Sequence, residues 1–130
     1  CYTYHSTDIK WLLTVRALTA VPTIRLRRDF RRVFSSGRRH HSRLFTMVVV
    51  AGRAGQSRVA YVVSGKLCGA VRRNRIRRRL REAARRLIPC CQNHWDIVLI
   101  AKSGAEKADY HTLYGELAGL LQAASLLDSR

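Results

Sequence analysis

Apolar side chains recur along this chain in short regular patterns, and each pattern predicts an element. In RRDFRRVFSSG, residues 27–37, Phe30, Val33 and Phe34 stand at i, i+3 and i+4, the spacing of one helix face. Gly37 is placed to end that helix in the left-handed conformation. LFTMVVVA (44–51) and SRVAYVVS (57–64) are rich in β-branched and aromatic residues that favour strands, and the GRAGQ between them predicts a hairpin. Gly65 and Gly69 bracket a loop. Beyond it Ile76, Leu80, Ala83, Ala84 and Leu87 fall in one stripe on a wheel of about 100° per residue, the core face of a helix that Pro89 stops. DIVLIAK (96–102) is apolar almost throughout, as in a strand covered on both faces. Leu113, Leu117, Leu120, Leu121 and Leu127 space out a final amphipathic helix. The predicted order is helix, strand, strand, helix, strand, helix, with no internal repeat.

A chain of 130 residues is long enough for one domain, since a domain of about this size buries roughly two-thirds of its unfolded surface. That domain is expected over residues 22–130, with residues 1–21 a leader of unknown role and possible disorder. The leader's apolar run WLLTVRALTAV (11–21) is too short to span a bilayer and is interrupted by Arg16. No small-residue cleavage site precedes Pro22, which argues against a secretory signal. Adjacent Cys90 and Cys91 suit neither a disulfide framework nor a CxxC metal knuckle, so a reducing, cytoplasmic setting is expected. A zinc site on Cys90, Cys91 and His94 competes with small buried thiols at a helix end.

Charge changes the picture most. The formal net charge is +17, and 21 of the 25 basic residues are arginine. Nine arginines lie in residues 72–86 against the single acid Glu82, and eight lie in residues 25–43 against Asp29. Planar guanidinium forks match phosphate oxygens two at a time. On the wheel Asn74, Arg77, Arg78, Arg81 and Arg85 collect opposite the apolar stripe, so the charge is displayed as a surface. A solvated face would mix its signs, and a membrane-surface helix would carry a wider apolar face with Trp or Phe. Binding to nucleic-acid phosphates fits best, with no membrane role. Composition alone does not separate DNA from RNA.

The order of residues does. LCGAVRRNRIRRRLREA resembles the signature of the bacterial ribonuclease P protein family: an aliphatic, Ala, Arg-Asn-Arg, an aliphatic, two basics, a spacer, an aliphatic and a basic. Leu67, Ala70, Arg73, Asn74, Arg75, Ile76, Arg77, Arg78, Leu80 and Arg81 meet it in order. The resemblance extends to LRRDFRRVFSSG as a first helix and DIVLIAK as a last strand, spanning about residues 24–125. It implies an α/β (α+β) two-layer sandwich, similar to the second domain of a small-subunit ribosomal protein. A four-stranded mostly antiparallel sheet would follow the order α-β-β-(β)-α-β-α, with a left-handed βαβ crossover through the arginine helix.

The resemblance also implies a role: binding the catalytic RNA of a ribonucleoprotein that removes 5′ leaders from precursor tRNA, with Mg²⁺ held mainly by that RNA and no DNA partner. Lys66, Arg72, Arg73, Asn74, Arg75, Arg77, Arg78 and Arg81 would contact the catalytic RNA. Phe30 and Phe34, with Arg31, Arg38, Arg43 and Val48, would line a cleft for the single-stranded leader, which aromatic platforms with basic flanks are suited to hold. Plain core packing is the competing reading for both phenylalanines. The chain departs from the family in Gly65-Lys66, where two lysines are usual, in Cys68-Gly69, where Gly-Asn is usual, and in Val48, where some members carry an aromatic.

Nothing in the sequence supplies a protein nuclease. Its eight acids are Asp8, Asp29, Glu82, Asp96, Glu106, Asp109, Glu116 and Asp128, scattered singly, and none pairs at metal-ligand spacing. His40 and His41 follow an arginine pair in a predicted loop, where contact with RNA or solvent outranks general-base work. No catalytic and no metal residues are therefore expected in the chain. A ribosomal or other structural RNA-binding protein with no enzyme attached is the alternative.

Overall fold

The structure is a computed structural model that describes residues 21–52, 56–91 and 93–126. The predicted leader, except Val21, and Leu127 of the predicted last helix lie outside the described residues. Among the described residues three α-helices and four strands follow in the order α1 (Arg27–Ser36), β1 (Arg38–His41), β2 (Phe45–Ala51), β3 (Arg58–Val62), α2 (Ala70–Leu87), β4 (Trp95–Ala101) and α3 (Tyr110–Ala123). One four-stranded sheet has the strand order β1-β2-β4-β3. β4 is antiparallel to β2 and parallel to β3, so α2 is carried by a crossover between parallel neighbours.

That order corrects two expectations. The predicted hairpin of residues 44–51 and 57–64 does not form, because β4 inserts between β2 and β3. Its Ile97, Val98 and Leu99 are buried on both faces, and a strand with two apolar faces stabilises the centre of a sheet more than its edge. The hairpin that does form joins β1 to β2, and it places His40 and His41 in a strand where a loop was expected. β1 reads RRHH, a charged edge strand of the kind that resists pairing with other chains.

The larger core lies between the sheet and the α2–α3 layer. Phe45, Met47, Val59, Ile97 and Leu99 meet Ile76, Leu80, Leu87, Leu113, Leu117 and Leu121 there, giving the sandwich its two layers. The predicted stripe on α2 is buried in full. α1 lies alone on the opposite face over a smaller cluster of Ile24, Val33, Val48, Ala60 and Val98. Pro22 and Ile24 hydrogen-bond with Val59 on the outer edge of β3, so the domain is secured from its first described residues.

Gly37 does not end α1 in a left-handed conformation, since its φ is −77°. Its role is close approach: a Cβ there would collide with the Val33 carbonyl oxygen and with Val48 Cγ1. The missing side chain lets the chain turn directly from α1 into β1 against β2. At the far end, Asp109 caps α3 by accepting from the Thr112 backbone N–H at 2.8 Å.

Candidate RNA interface

Burial of the α2 stripe forces its nine arginines onto the flanks and outer surface of the helix, where they sort by partner. Arg73 Nη1 donates to the Cys68 carbonyl at 2.8 Å, and Arg79 Nη1 donates to the Ala108 carbonyl at 2.6 Å. Arg85 and Arg86 pair with Glu82 at 3.3 and 3.6 Å, and the Arg86 guanidinium lies 5.5 Å from the Tyr110 ring centre. These four tie α2 to its own loop, to itself and to the start of α3. The Arg81 guanidinium lies 5.7 Å from the Tyr61 ring centre; burial pushes that phenol up to about 12 while Arg81 draws it back, so Tyr61 stays neutral. Arg77 donates to Asn74 Oδ1 at 3.2 Å. Arg72, Arg75 and Arg78 are exposed, and none of the ion pairs among the described residues involves them. Lys66 is exposed in the preceding loop, where its backbone N–H donates to Ser64 Oγ at 3.1 Å.

On the opposite face, strand register arranges the side chains in three rows across the sheet. Arg39, Val48, Val98 and Ala60 form the middle row, and α1 covers it through Val33. His41, Thr46, Ile100 and Val62 form the row on one flank of α1. Val50, Asp96 and Arg58 form the row on the other flank.

Because α1 covers the middle row, the strand register leaves this first flank as a step down from the helix to the sheet, a trough beside Phe34. Phe34 is exposed and stacked with Phe30 at a centroid distance of 6.5 Å. The Arg39 guanidinium lies 5.6 Å from the Phe34 ring centre, and His41 Nδ1 and Thr46 Oγ1 are hydrogen-bonded at 3.1 Å. An aromatic wall, a cationic lid and a floor of small and apolar groups can receive a flat, unpaired base with its phosphate.

The model of one protein family, described as Ribonuclease P, matches residues 19–125. The chain belongs to the ribonuclease P protein family. The ribonuclease P protein component of Herpetosiphon aurantiacus is 36% identical over 107 residues, which is 82% of this chain and 87% of that protein. That of Chloroflexus aggregans is 38% identical over 106 residues, 79% of this chain and 78% of that protein. Among solved structures, the RNase P protein of Staphylococcus aureus superposes with a TM-score of 0.74 at 26% identity, covering 82% of this chain and 97% of that one. That of Thermotoga maritima superposes with a TM-score of 0.70 at 30% identity, covering 78% and 96%. The expected fold and family role hold: the chain is the RNA-binding protein component of the ribonucleoprotein that processes the 5′ leader of tRNA, and the ribonuclease P RNA is its partner.

Within this ribonuclease P protein the residues expected to line a leader cleft do not all share one place. Phe30 and Phe34 do, Phe30 half-buried against the α1 cluster and Phe34 open. Val48 is 0% exposed, so it packs beneath α1 and cannot stack on a base. Arg38 pairs with Val49, whose side chain enters the larger core, so Arg38 projects to the face away from α1; its neighbour Arg39 is the residue over Phe34. Arg43 leans toward α3, 3.7 Å from Glu116. Arg31 is exposed and lies toward the other flank of α1, outside the trough. The sequence reading did not name Arg39, His41, Thr46, Ile100 and Val62, of which Arg39 lies over Phe34 and the others share the first flanking row. Alternation along RRHH would have separated Arg39 from Arg38 had that segment been read as a strand.

The remaining candidates for chemistry are structural. Asp96 is fully buried and bound by Arg32 and Arg58. Cys90 and Cys91 donate back to the Arg86 and Leu87 carbonyls, and burial pushes both thiols up, that of Cys91 to about 12. Among the described residues no group of three or more His, Cys, Asp or Glu side chains is placed to hold a metal ion. They do not fit a protein-borne Mg²⁺ centre, nor zinc on Cys90, Cys91 and His94. Among the described residues no helix is long and apolar enough to cross a membrane.

Proposed function

We propose that this chain acts in the cytoplasm by holding two RNAs on two faces of its sheet, the ribonuclease P RNA against α2 and the leader of precursor tRNA in the trough beside Phe34. Hydrolysis then belongs to the RNA and its Mg²⁺, and this chain supplies charge and position. The observation that carries the reading is the partition of arginines on α2: four are spent on the domain itself, while Arg72, Arg75 and Arg78 face outward without acidic partners among the described residues. Exposed guanidiniums on a rigid helix neutralise several phosphates and release their counterions.

On the other face, Phe34 offers a stacking surface worth ~1–3 kcal/mol per base, with Arg39 beside it for the adjoining phosphate. Binding the leader there fixes the orientation of the substrate relative to the RNA held by α2, on the far side of the same rigid sheet. Orientation of this kind lowers the entropic part of the barrier without any catalytic side chain.

Reconstitution with a bacterial ribonuclease P RNA tests the reading. Protein free of RNA is expected to leave precursor tRNA intact at every Mg²⁺ concentration. Arg75→Gln with Arg78→Gln is expected to weaken assembly with the RNA and to flatten its log–log salt dependence by about 0.7–0.9 per lost contact. Phe34→Leu is expected to preserve assembly while the preference for precursor over mature tRNA shrinks. Cleavage by RNA-free protein, or equal effects of both changes on both RNAs, refutes it.

A further inference from the structure

The second flank of α1 carries a groove that the proposed function does not use. It encloses about 730 Å³ and is lined by Leu26, Arg28, Asp29, Arg31, Arg32, Ser35 and Arg58. We infer that this groove is a second RNA-backbone site, separated from the Phe34 trough by the width of α1; the inference rests on the reading of the chain as an RNA-holding subunit.

The groove's back wall is built from fixed charge. Asp96, 0% exposed, lies beneath it in the third row. Arg58 donates to Asp96 through Nε at 3.0 Å and Nη2 at 2.8 Å, and to Asp29 through Nη1 at 3.3 Å. Arg32 binds the same carboxylate from α1 and donates to the Ala51 carbonyl at 3.0 Å. Hydrogen bonding to Asp96, then its charge, then Asp29, holds the Arg58 proton more tightly than usual against the opposing effect of burial. Two guanidiniums are thus immobilised before any ligand arrives, so little side-chain freedom is left to lose on binding.

The front of the groove is exposed charge. Arg28 and Arg31 lie one helical turn apart on α1, both exposed, and neither takes part in an ion pair among the described residues. Ser35 follows one turn later, its hydroxyl turned to the Arg31 carbonyl at 2.7 Å. Four guanidiniums line the groove against one lining carboxylate, Asp29, so the site favours anions. Leu26 at one end is 49% exposed and gives the edge of a sugar or base an apolar surface. Spaced guanidinium forks beside one apolar contact match consecutive phosphodiesters of an RNA strand better than a lone inorganic anion.

Phosphodiesters reach this groove from the substrate or from the ribonuclease P RNA, and the experiment separates the two. The full chain carrying Arg28→Gln and Arg31→Gln is assembled with ribonuclease P RNA, and binding of precursor with a short or a long leader and of mature tRNA is measured across a salt series. Both side chains are exposed, so far-ultraviolet dichroism and the unfolding midpoint are expected to stay at wild-type values. The expected result is an affinity loss of about three- to tenfold in one arm, with a salt slope lowered by about 0.7 per lost contact. Loss confined to assembly assigns the groove to the ribonuclease P RNA, and loss that grows with leader length assigns it to the leader. A folded double variant with wild-type affinities and slopes for every RNA overturns the inference. Arg75→Gln with Arg78→Gln is the control: should it alone weaken assembly, only the second groove is lost, and should it also have no effect, the two-faced reading of the protein fails with it.

Discussion

What a guanidinium touches decides what its removal will do. Arg79 and Arg75 are four residues apart on α2, yet Arg79 donates into the chain at the Ala108 carbonyl while Arg75 is exposed. Arg79→Gln is expected to lower unfolding free energy by about 1–2 kcal/mol, since a charged donor to a half-buried carbonyl is lost. It should leave the salt slope of RNA binding unchanged. Arg75→Gln should do the reverse, and urea unfolding beside a salt titration of RNA binding tells them apart. The helical wheel separated core from surface on α2 correctly at Ile76, Leu80, Ala83, Ala84 and Leu87. It could not tell Arg73, tied to the Cys68 carbonyl, from Arg72, because that distinction depends on loops whose path the local sequence does not encode. The same limit placed Val48 in a cleft: its pattern says only that it lies in a strand, and α1 decides that its face is buried.

Elements were legible wherever one apolar stripe set them, and illegible where pairing was chosen at long range. α1, α2 and β4 fall where their periodicity put them. β1 has no apolar residue to betray it, and the false hairpin arose because turn chemistry between residues 51 and 57 is a local signal, while insertion of β4 between the two strands is a tertiary one. Junctions carry their own chemistry. Gly37→Ala is expected to cost about 1–3 kcal/mol of overpacking, because the new methyl meets the Val33 carbonyl and Val48; the unfolding midpoint checks it. The Asp109 cap titrates. The Thr112 backbone N–H, then its side chain, holds the Asp109 carboxyl below its ordinary value despite a small opposing effect of desolvation. With the folded pKa depressed, the contribution to stability is full above the unfolded carboxylate pKa of about 4 and is lost as pH falls through the folded value. Asp109→Asn keeps a capping acceptor, so it should match the wild type at neutral pH and lose less stability on acidification. Thermal midpoints at pH 7 and pH 3 decide this.

At the scale of the molecule, the two faces of the sheet answer to different cores, and Asp96 is where that separation can be tested. The α2–α3 face rests on the large apolar cluster, whereas α1 is held by a few apolar contacts and by the Arg32–Asp96–Arg58 network. Nothing in the sequence marked Asp96 as more than one scattered acid, because its partners come from α1 and β3, 64 and 38 residues away. Asp96→Asn leaves two half-buried guanidiniums facing an amide, and loss of one member of a buried ionic group is expected to cost about 3–5 kcal/mol. Replacing all three members at once, with Arg32→Met, Arg58→Met and Asp96→Leu, removes buried Asp96 and both of its guanidiniums together and leaves only the partly exposed Asp29 without its Arg58 contact; such exchanges are commonly neutral or stabilising. The triple variant should therefore regain the unfolding free energy that Asp96→Asn loses. It should also keep the share of assembly that α2 provides, because that helix and its outward arginines are untouched. Binding of RNA along the flank lined by Arg32 and Arg58 should nonetheless fall, since the fixed wall of charge is gone. Unfolding in urea, assembly and substrate binding on the single and triple variants give the answer. A triple variant that is stable, assembles normally and binds every RNA as the wild type does would show that the network serves the fold alone.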